Sequence, residues 1–593
     1  MAKKPISAEL IHTYAWVLWL VFVMLAILYY FGFFSQFTDK YQACSPETDG
    51  WNITYYTICA NRTIEMDGSL MVLNGGSLTL RNVTIVMRGK TYSDRTMEVF
   101  PGGELKVLDN DNNPVTIGDM SIIENGDNST NFIFFVHKDA KFEMRNSELQ
   151  GVGSRLYEST KGPHIEAQNS VIEGSIIKGN LYGLMIDADD AKLRNNVISE
   201  SAYGIYVGNL THNLLIENNI IKDNSVGVYL SPGSAGTQIN GNKIRDNHES
   251  GVLISGSSDN MLRNNLNLNN HRGIYLNYSS LNSLSGETVA DNDEGIFLQS
   301  SSNNSIDSGN FSYNSIFCLS LVSSGNNTIS KNNISGCQDG IKLNSSDQNS
   351  IVDNSLEYNK NAVKMLYSSL NDVERNSMEQ NVQSVLLQNS QNNIFSENRL
   401  KENSMGISLI NSTSNNLRLN TVLNSSYGIW LYSSHMNSLT QNELRGNSQG
   451  IWLHLAYRNN ATSNTINQNN ISITISSSSA NLISQNIIQQ NGMYGIDIYN
   501  STSNRILNND IASNGASGAR SISSDSNEFE GNSIRNNGDS GVYLEGSNDI
   551  FTGNAVSGHT QYGFYCYSSN PVFKSNTVSG NGNDCDGCFG CNS

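Results

Sequence analysis

The chain has 593 residues and carries 54 acidic against 36 basic side chains, a net charge of −18. That balance excludes a nucleic-acid binder, because no basic stripe is available to neutralise phosphates. Seven prolines against fifty glycines exclude a proline-rich linker and collagen, and 15% charged residues is too few for a charge-solvated disordered chain.

Residues 1–13 form a short basic amino terminus. Residues 14–34, YAWVLWLVFVMLAILYYFGFF, carry no charge. At ~1.5 Å per residue this run is long enough to cross a bilayer as a helix. Lys3 and Lys4 precede it, Asp39 and Lys40 follow it, and Trp16, Trp19, Tyr29 and Tyr30 lie toward its ends. The basic flank places the amino terminus in the cytoplasm and the remainder outside, and the rings suit the membrane interface. The expectation is a single-pass cell-membrane protein with an extracellular body and the lipid bilayer as one partner.

The stretch Ala8-Glu9-Leu10-Ile11-His12-Thr13-Tyr14-Ala15-Trp16 and the apolar run after it resemble the start of archaeal type IV pilin-like proteins with a class III signal peptide. Glu9 matches the early glutamate of that family. Lys4 and Pro5 stand where the family has its cleavage site, and this departure argues for a helix retained as an anchor. Operating as in pilins, the same helix would join a filament core.

Residues 35–61 read as a linker and cap, in which Cys44 and Cys59 are expected to pair. Residues 62–180 read as irregular opening coils, with Gly75-Gly76-Ser-Leu-Thr-Leu and Gly102-Gly103-Glu-Leu-Lys-Val as early beats. From 181 to 583 a regular element returns: Gly, aliphatic, any residue, aliphatic. Gly204-Ile205, Gly227-Val228, Gly273-Ile274, Gly428-Ile429 and Gly450-Ile451 are instances, and Ala362-Val363 and Ser384-Val385 fill missing beats in phase. The interval is about 22 residues, a solenoid period. A second beat sets Asn before the glycine (Asn224, Asn247, Asn292, Asn359, Asn447), and a third sets Asn before an aliphatic residue (Asn219-Ile220, Asn333-Ile334, Asn470-Ile471). Alternating strands with polar corners cannot bury an apolar face alone; stacked coils can. Asparagine at a corner tolerates left-handed backbone, and stacked amides can bond along the axis.

The repeat, for example Asn326-Asn-Thr-Ile-Ser-Lys-Asn-Asn-Ile-Ser-Gly-Cys-Gln-Asp-Gly-Ile-Lys-Leu343, resembles NosD-type and carbohydrate-binding/sugar-hydrolase proteins. The resemblance implies an all-β fold: a single-stranded right-handed parallel β-helix. About twenty coils at ~4.8 Å each would make a rod on the order of 100 Å long.

Strand alternation turns the residue between the two aliphatics outward. That position holds Tyr206, Tyr229, Tyr275 and Phe297 in one stripe, and Trp430 and Trp452 in another, with Tyr432 and His454 two residues further on. Such rings either stack as stabilisers beneath other chain segments or present flat faces to a glycan or a neighbouring surface protein. The expected role is structural or adhesive.

Two other readings remain open. Ile186-Asp187-Ala188-Asp189-Asp190 is a dense acidic knot, with His164 and Glu166 a coil earlier and Arg194 after it. Glu166, Asp187, Asp189 and Arg194 are the candidate catalytic set for a polysaccharide lyase, hydrolase or epimerase. The Asp-Pro-His-Asp motif of uronate epimerases and the Gly-His-Gly of polygalacturonases are absent. The NosD resemblance implies copper, but the nine histidines are scattered and His435-Met436 is an isolated pair. No cofactor is expected; copper, calcium and zinc stay open.

Eight cysteines in an exported chain favour disulfides. Cys318 and Cys337 lie about one coil apart, as do Cys566 and Cys588, leaving Cys585 and Cys591. Residues 584–593 read as a disulfide-stapled cap that blocks the solenoid end, with zinc bound by the tail and Cys566 as the alternative. Sequons such as Asn52, Asn277 and Asn500 are candidates for glycosylation.

Overall fold

The computed structural model describes residues 15–24, 26, 41–47, 49–88, 95–113, 115–126, 131–154 and 158–591. Residues 15–24 are helical. No helix among the described residues is long and apolar enough to cross a membrane, and much of the 14–34 span, with Glu9, lies outside them.

The rest is a right-handed-type parallel β-solenoid of about 24 coils. It divides into two compact units between Val171 and Ile172. In the first unit the strands are long. Tyr56–Met66 pairs in parallel with Ser77–Met87, and Ser77–Met87 pairs in turn with Glu104–Leu108 and Ile122–Asn125. Tyr41–Gln42, within the expected linker, already pairs with Tyr56 and Thr57, and Cys44 is bonded to Cys59.

In the second unit each coil has three strands. Ser250–Ser255, Met261–Arg263 and Leu266–Leu268 make one coil, and each pairs in parallel with its counterpart in the next: Arg272–Asn277, Ser283–Ser285 and Thr288–Ala290. The aliphatic beats face inward. Ile341, Leu343, Ile351 and Leu356, from a single coil, are all fully buried. The glycine beat follows from close approach: a Cβ at Gly428 would sit 2.5 Å from the carbonyl oxygen of Gly450 and 2.9 Å from Leu444.

Asparagines stack at the corners. Asn376 receives the amide of Asn354, and its own backbone N–H and side-chain amide donate to Oδ1 of Asn398 at 3.0 and 3.1 Å. Its amide also donates to the Ile351 carbonyl oxygen one coil back, at 2.8 Å. Buried corner amides are thereby satisfied along the axis. Two expectations need correction. The ladder asparagines are not the left-handed residues; the residue before each one is, as at Asn264 (φ 53°) before Asn265 and Glu397 (φ 57°) before Asn398. Of the third beat, Asn219 is a buried ladder residue, whereas Asn333 and Asn470 are exposed and their neighbours Asn332 and Asn469 carry the bonds.

Disulfides join Cys318 to Cys337, Cys566 to Cys588 and Cys585 to Cys591. The tail therefore holds no thiolates for zinc.

Candidate functional site

The sheet built from the longest strand of each coil in the second unit has an outer face of three rows. The middle row runs in register from Met185 through Tyr206, Tyr229, Leu253, Tyr275, Phe297 and Ser320 to Lys342. It continues through Lys364, Leu386, Ser408, Trp430, Trp452 and Thr474 to Asp497. A second row, two residues further on, includes Tyr432 beside His454. The third row, just before the glycine, pairs Tyr182 with Tyr203 and Tyr427 with Gln449. Sequence reasoning missed this row because strict alternation turns a residue three before an outward one to the opposite face; the strand pairing skips the glycine, and the repeated Tyr-Gly pair was the available signal.

The rings form separate clusters. Tyr182 stacks on Tyr206 at 5.3 Å between centroids, and Tyr206 lies 5.2 Å from Tyr229. Leu253 then interrupts, so the expected single stripe is split. Tyr275 and Phe297 stack at 5.2 Å, and the Arg272 guanidinium lies 4.9 Å from the Tyr275 ring while its Nε bonds Glu294 at 2.6 Å. Further along, Trp430 and Trp452 stack at 5.9 Å, Tyr427 stacks on Trp452 at 5.8 Å, and Tyr432 on His454 at 5.6 Å. Trp452 Nε1 donates to Ser476 Oγ at 3.0 Å; Trp430 Nε1 is shielded and has no partner among the described residues. Tyr182 is buried, the other rings are partly buried, and Tyr427 is the most open at 37%. Between the clusters stand Lys342 and Lys364. Lys364 Nζ reaches the buried Asp339 at 3.4 Å, whereas Lys342 has no ion pair among the described residues. Beyond them Arg520 clamps Asp497 through two bonds of 2.8 Å and covers the Tyr494 ring at 3.9 Å.

The candidate catalytic residues hold different partners. Glu166, in the first unit, lies 3.9 Å from His164 Nε2. In the second unit Asp189 accepts the backbone N–H of His212 at 2.7 Å, and Asp187 lies against Gly208. Arg194 belongs to another strand set, on Lys192–Arg194, and pairs with Glu217 at 3.2 Å. A cavity of about 540 Å³ in the first unit is lined by Glu104, Lys106, Asp139, Lys141 and Glu143. Glu104 there is already engaged by Lys106 at 3.0 Å and Ser77 at 2.8 Å.

The second unit is thus a parallel β-solenoid with an outer face that carries clustered rings and basic side chains between them. The sequence of the chain matches the family described as periplasmic copper-binding protein (NosD) over residues 74–249, 137–319, 318–461, 426–538 and 459–589. The chain belongs to the NosD family. A comparison with curated proteins gives no match. Similar solved structures include a mutant of the periplasmic alginate epimerase AlgG, at 13% identity and TM-score 0.38, covering 64% of this chain and 84% of that one. The Dettilon tailspike protein follows at 14% and 0.29, covering 60% and 61%. The A-module of Azotobacter vinelandii mannuronan C-5 epimerase AlgE4 stands at 14% and 0.25, covering 59% and 88%. At these identities and TM-scores they carry no functional inference.

Among the described residues, the His and Cys side chains do not converge on a copper site. All eight cysteines are in disulfides. His435 stacks on Tyr457 at 3.4 Å, and His454 is bonded to Ser476 at 2.8 Å. Among the described residues, the one group of three or more His, Cys, Asp or Glu side chains close enough to share an ion is Asp109, Asp111 and Asp119, an oxygen set that soft or borderline metals do not favour.

Proposed function

We propose that this protein is a glycan-binding surface solenoid with an adhesive or structural role, held at the membrane by its apolar amino-terminal segment. The observation that carries the reading is the Tyr427, Trp430, Trp452, Tyr432 and His454 cluster, whose rings repeat at the coil interval on one open face. Half-exposed flat rings suit the apolar C–H faces of sugars while leaving hydroxyls to water. Coils ~4.8 Å apart present such rings at roughly the spacing of successive sugars in an extended chain. Lys342, between the aromatic clusters and without an ion pair among the described residues, favours a chain that bears carboxylates.

A glycan array probed with wild type and with a Trp430→Ala/Trp452→Ala variant tests this. Signal on uronate-containing or neutral chains that disappears in the variant supports the reading. Binding that survives the double change removes the cluster from it.

A further inference from the structure

We propose that the loop between the strands Glu104–Leu108 and Ile122–Asn125 binds a calcium ion through Asp109, Asp111 and Asp119. The three side chains each offer an oxygen, and those oxygens lie within 4.8 Å of one another. Three carboxylates so close repel one another, and among the described residues none of them has a basic partner. The nearby Arg81 spends its Nη1 on the Asp109 backbone carbonyl at 3.3 Å.

Repulsion alone is common on surfaces. What points to a ligand is Asp109 itself, which is fully buried. Its Oδ2 accepts the Asn146 amide at 3.1 Å, but its Oδ1 is buried and has no hydrogen-bond partner among the described residues. Oδ1 is therefore free to take a cation. Asp119 likewise has a buried Oδ1 with no partner. A buried carboxylate oxygen without a donor is costly, and native structures rarely leave one so. A cation satisfies both orphaned oxygens and cancels the repulsion.

The third ligand is held ready. Asp111 accepts the Asn113 backbone N–H at 2.8 Å and the Thr116 hydroxyl at 3.0 Å, so its carboxylate is held by other residues of the loop. Asp109-Asn110-Asp111-Asn112-Asn113 has the alternating oxygen-bearing spacing of calcium loops. The donors are all hard oxygens, which selects against copper and zinc. They sit on an irregular loop with one short turn at Ile117–Asp119, and calcium tolerates such geometry where magnesium demands a near-ideal octahedron. The loop leaves the core at Asp109 and returns at Ser121, whose hydroxyl donates to the Leu108 carbonyl at 2.5 Å. An ion there ties the outer part of the loop to the first unit's core.

The test is calcium titration by calorimetry into chelator-treated full-length protein, with magnesium alone as the comparison and with thermal unfolding followed in parallel. The expected result is saturable binding of one calcium per chain and a rise in unfolding temperature that a chelator reverses. Affinity should fall at least tenfold in Asp111→Asn and be lost in Asp111→Asn/Asp119→Asn. Asp111 is exposed, so the single variant retains the fold and keeps the test decisive. Absence of calcium binding by folded wild type, unchanged affinity in the double variant, or magnesium binding as tightly as calcium would overturn the proposal.

Discussion

Glu287 takes an asparagine's place in a corner ladder and accepts both the backbone N–H of Asn265, at 3.2 Å, and its side-chain amide, at 2.9 Å. Burial pushes its carboxyl up to about 8, against the opposing pull of the amides of Asn265 and Asn267. Its Oε2 accepts the Asn267 side-chain amide at 3.3 Å. The next ladder position is Gly309, where a Cβ would strike the Phe311 ring at 2.5 Å, so the ladder is broken below Glu287.

The sign of the pH effect follows. The unfolded glutamate loses its proton near 4.5, whereas the folded one keeps it until about 8. Stability is therefore undiminished below pH 4.5, falls as pH rises toward 8, and levels off above, a loss on the order of a few kcal/mol. Glu287→Gln keeps the Oε1 acceptor for Asn265 and removes the ionisable carboxyl, while its amide nitrogen replaces the Oε2 that accepts from Asn267, so the Asn267 amide turns over to meet it with its oxygen. Denaturant unfolding at pH 6 and pH 9 should show the variant more stable than wild type, by a larger margin at pH 9.

His559 makes the opposite substitution in another ladder. Its Nδ1 accepts the Asn537 backbone N–H at 3.1 Å, so Nε2 carries the proton and donates to the Ile534 carbonyl at 3.1 Å. Burial holds its pKa below the usual value, against the pull of these two bonds. The unfolded imidazole takes up a proton that the folded one resists, so stability is lost as pH falls through the ordinary histidine range. In His559→Asn this acid-side loss should shrink, which melting curves between pH 5 and 7.5 would measure.

Asn398 and Glu397 separate the two corner roles. Asn398→Ala removes the acceptor of the Asn376 amides and the donor to the Val373 carbonyl, and should cost about 2–3 kcal/mol. Glu397, left-handed and exposed, should gain roughly 0.5–1 kcal/mol on replacement by glycine. Urea unfolding of both variants checks the contrast; equal effects of one sign would contradict it.

Side-chain alternation and a fixed interval made most of the second unit legible. Once Gly428-Ile429 and Gly450-Ile451 are aligned, Trp430 and Trp452 must share a row, and their ring stacking follows from coil spacing. The left-handed corner positions were not legible, because Asn, Asp, Gln, Ser, Glu and Tyr all occupy them and only the next, buried residue is restricted. The split of the first aromatic stripe hung on the single Leu253. The Asp109 loop lies outside the rhythm, so counting coils passes over it; its alternating Asp-x-Asp-x-Asn was the available signal.

The most direct test of the central claim is calorimetric titration of a glycan retained on the array into wild type and into Trp452→Ala. Trp452 stacks with both Tyr427 and Trp430, so its loss opens the centre of the cluster while the asparagine ladders stay intact. The account predicts a Kd raised at least tenfold, about 1.4 kcal/mol or more, with the unfolding temperature nearly unchanged. An unaltered Kd in a folded variant would contradict it.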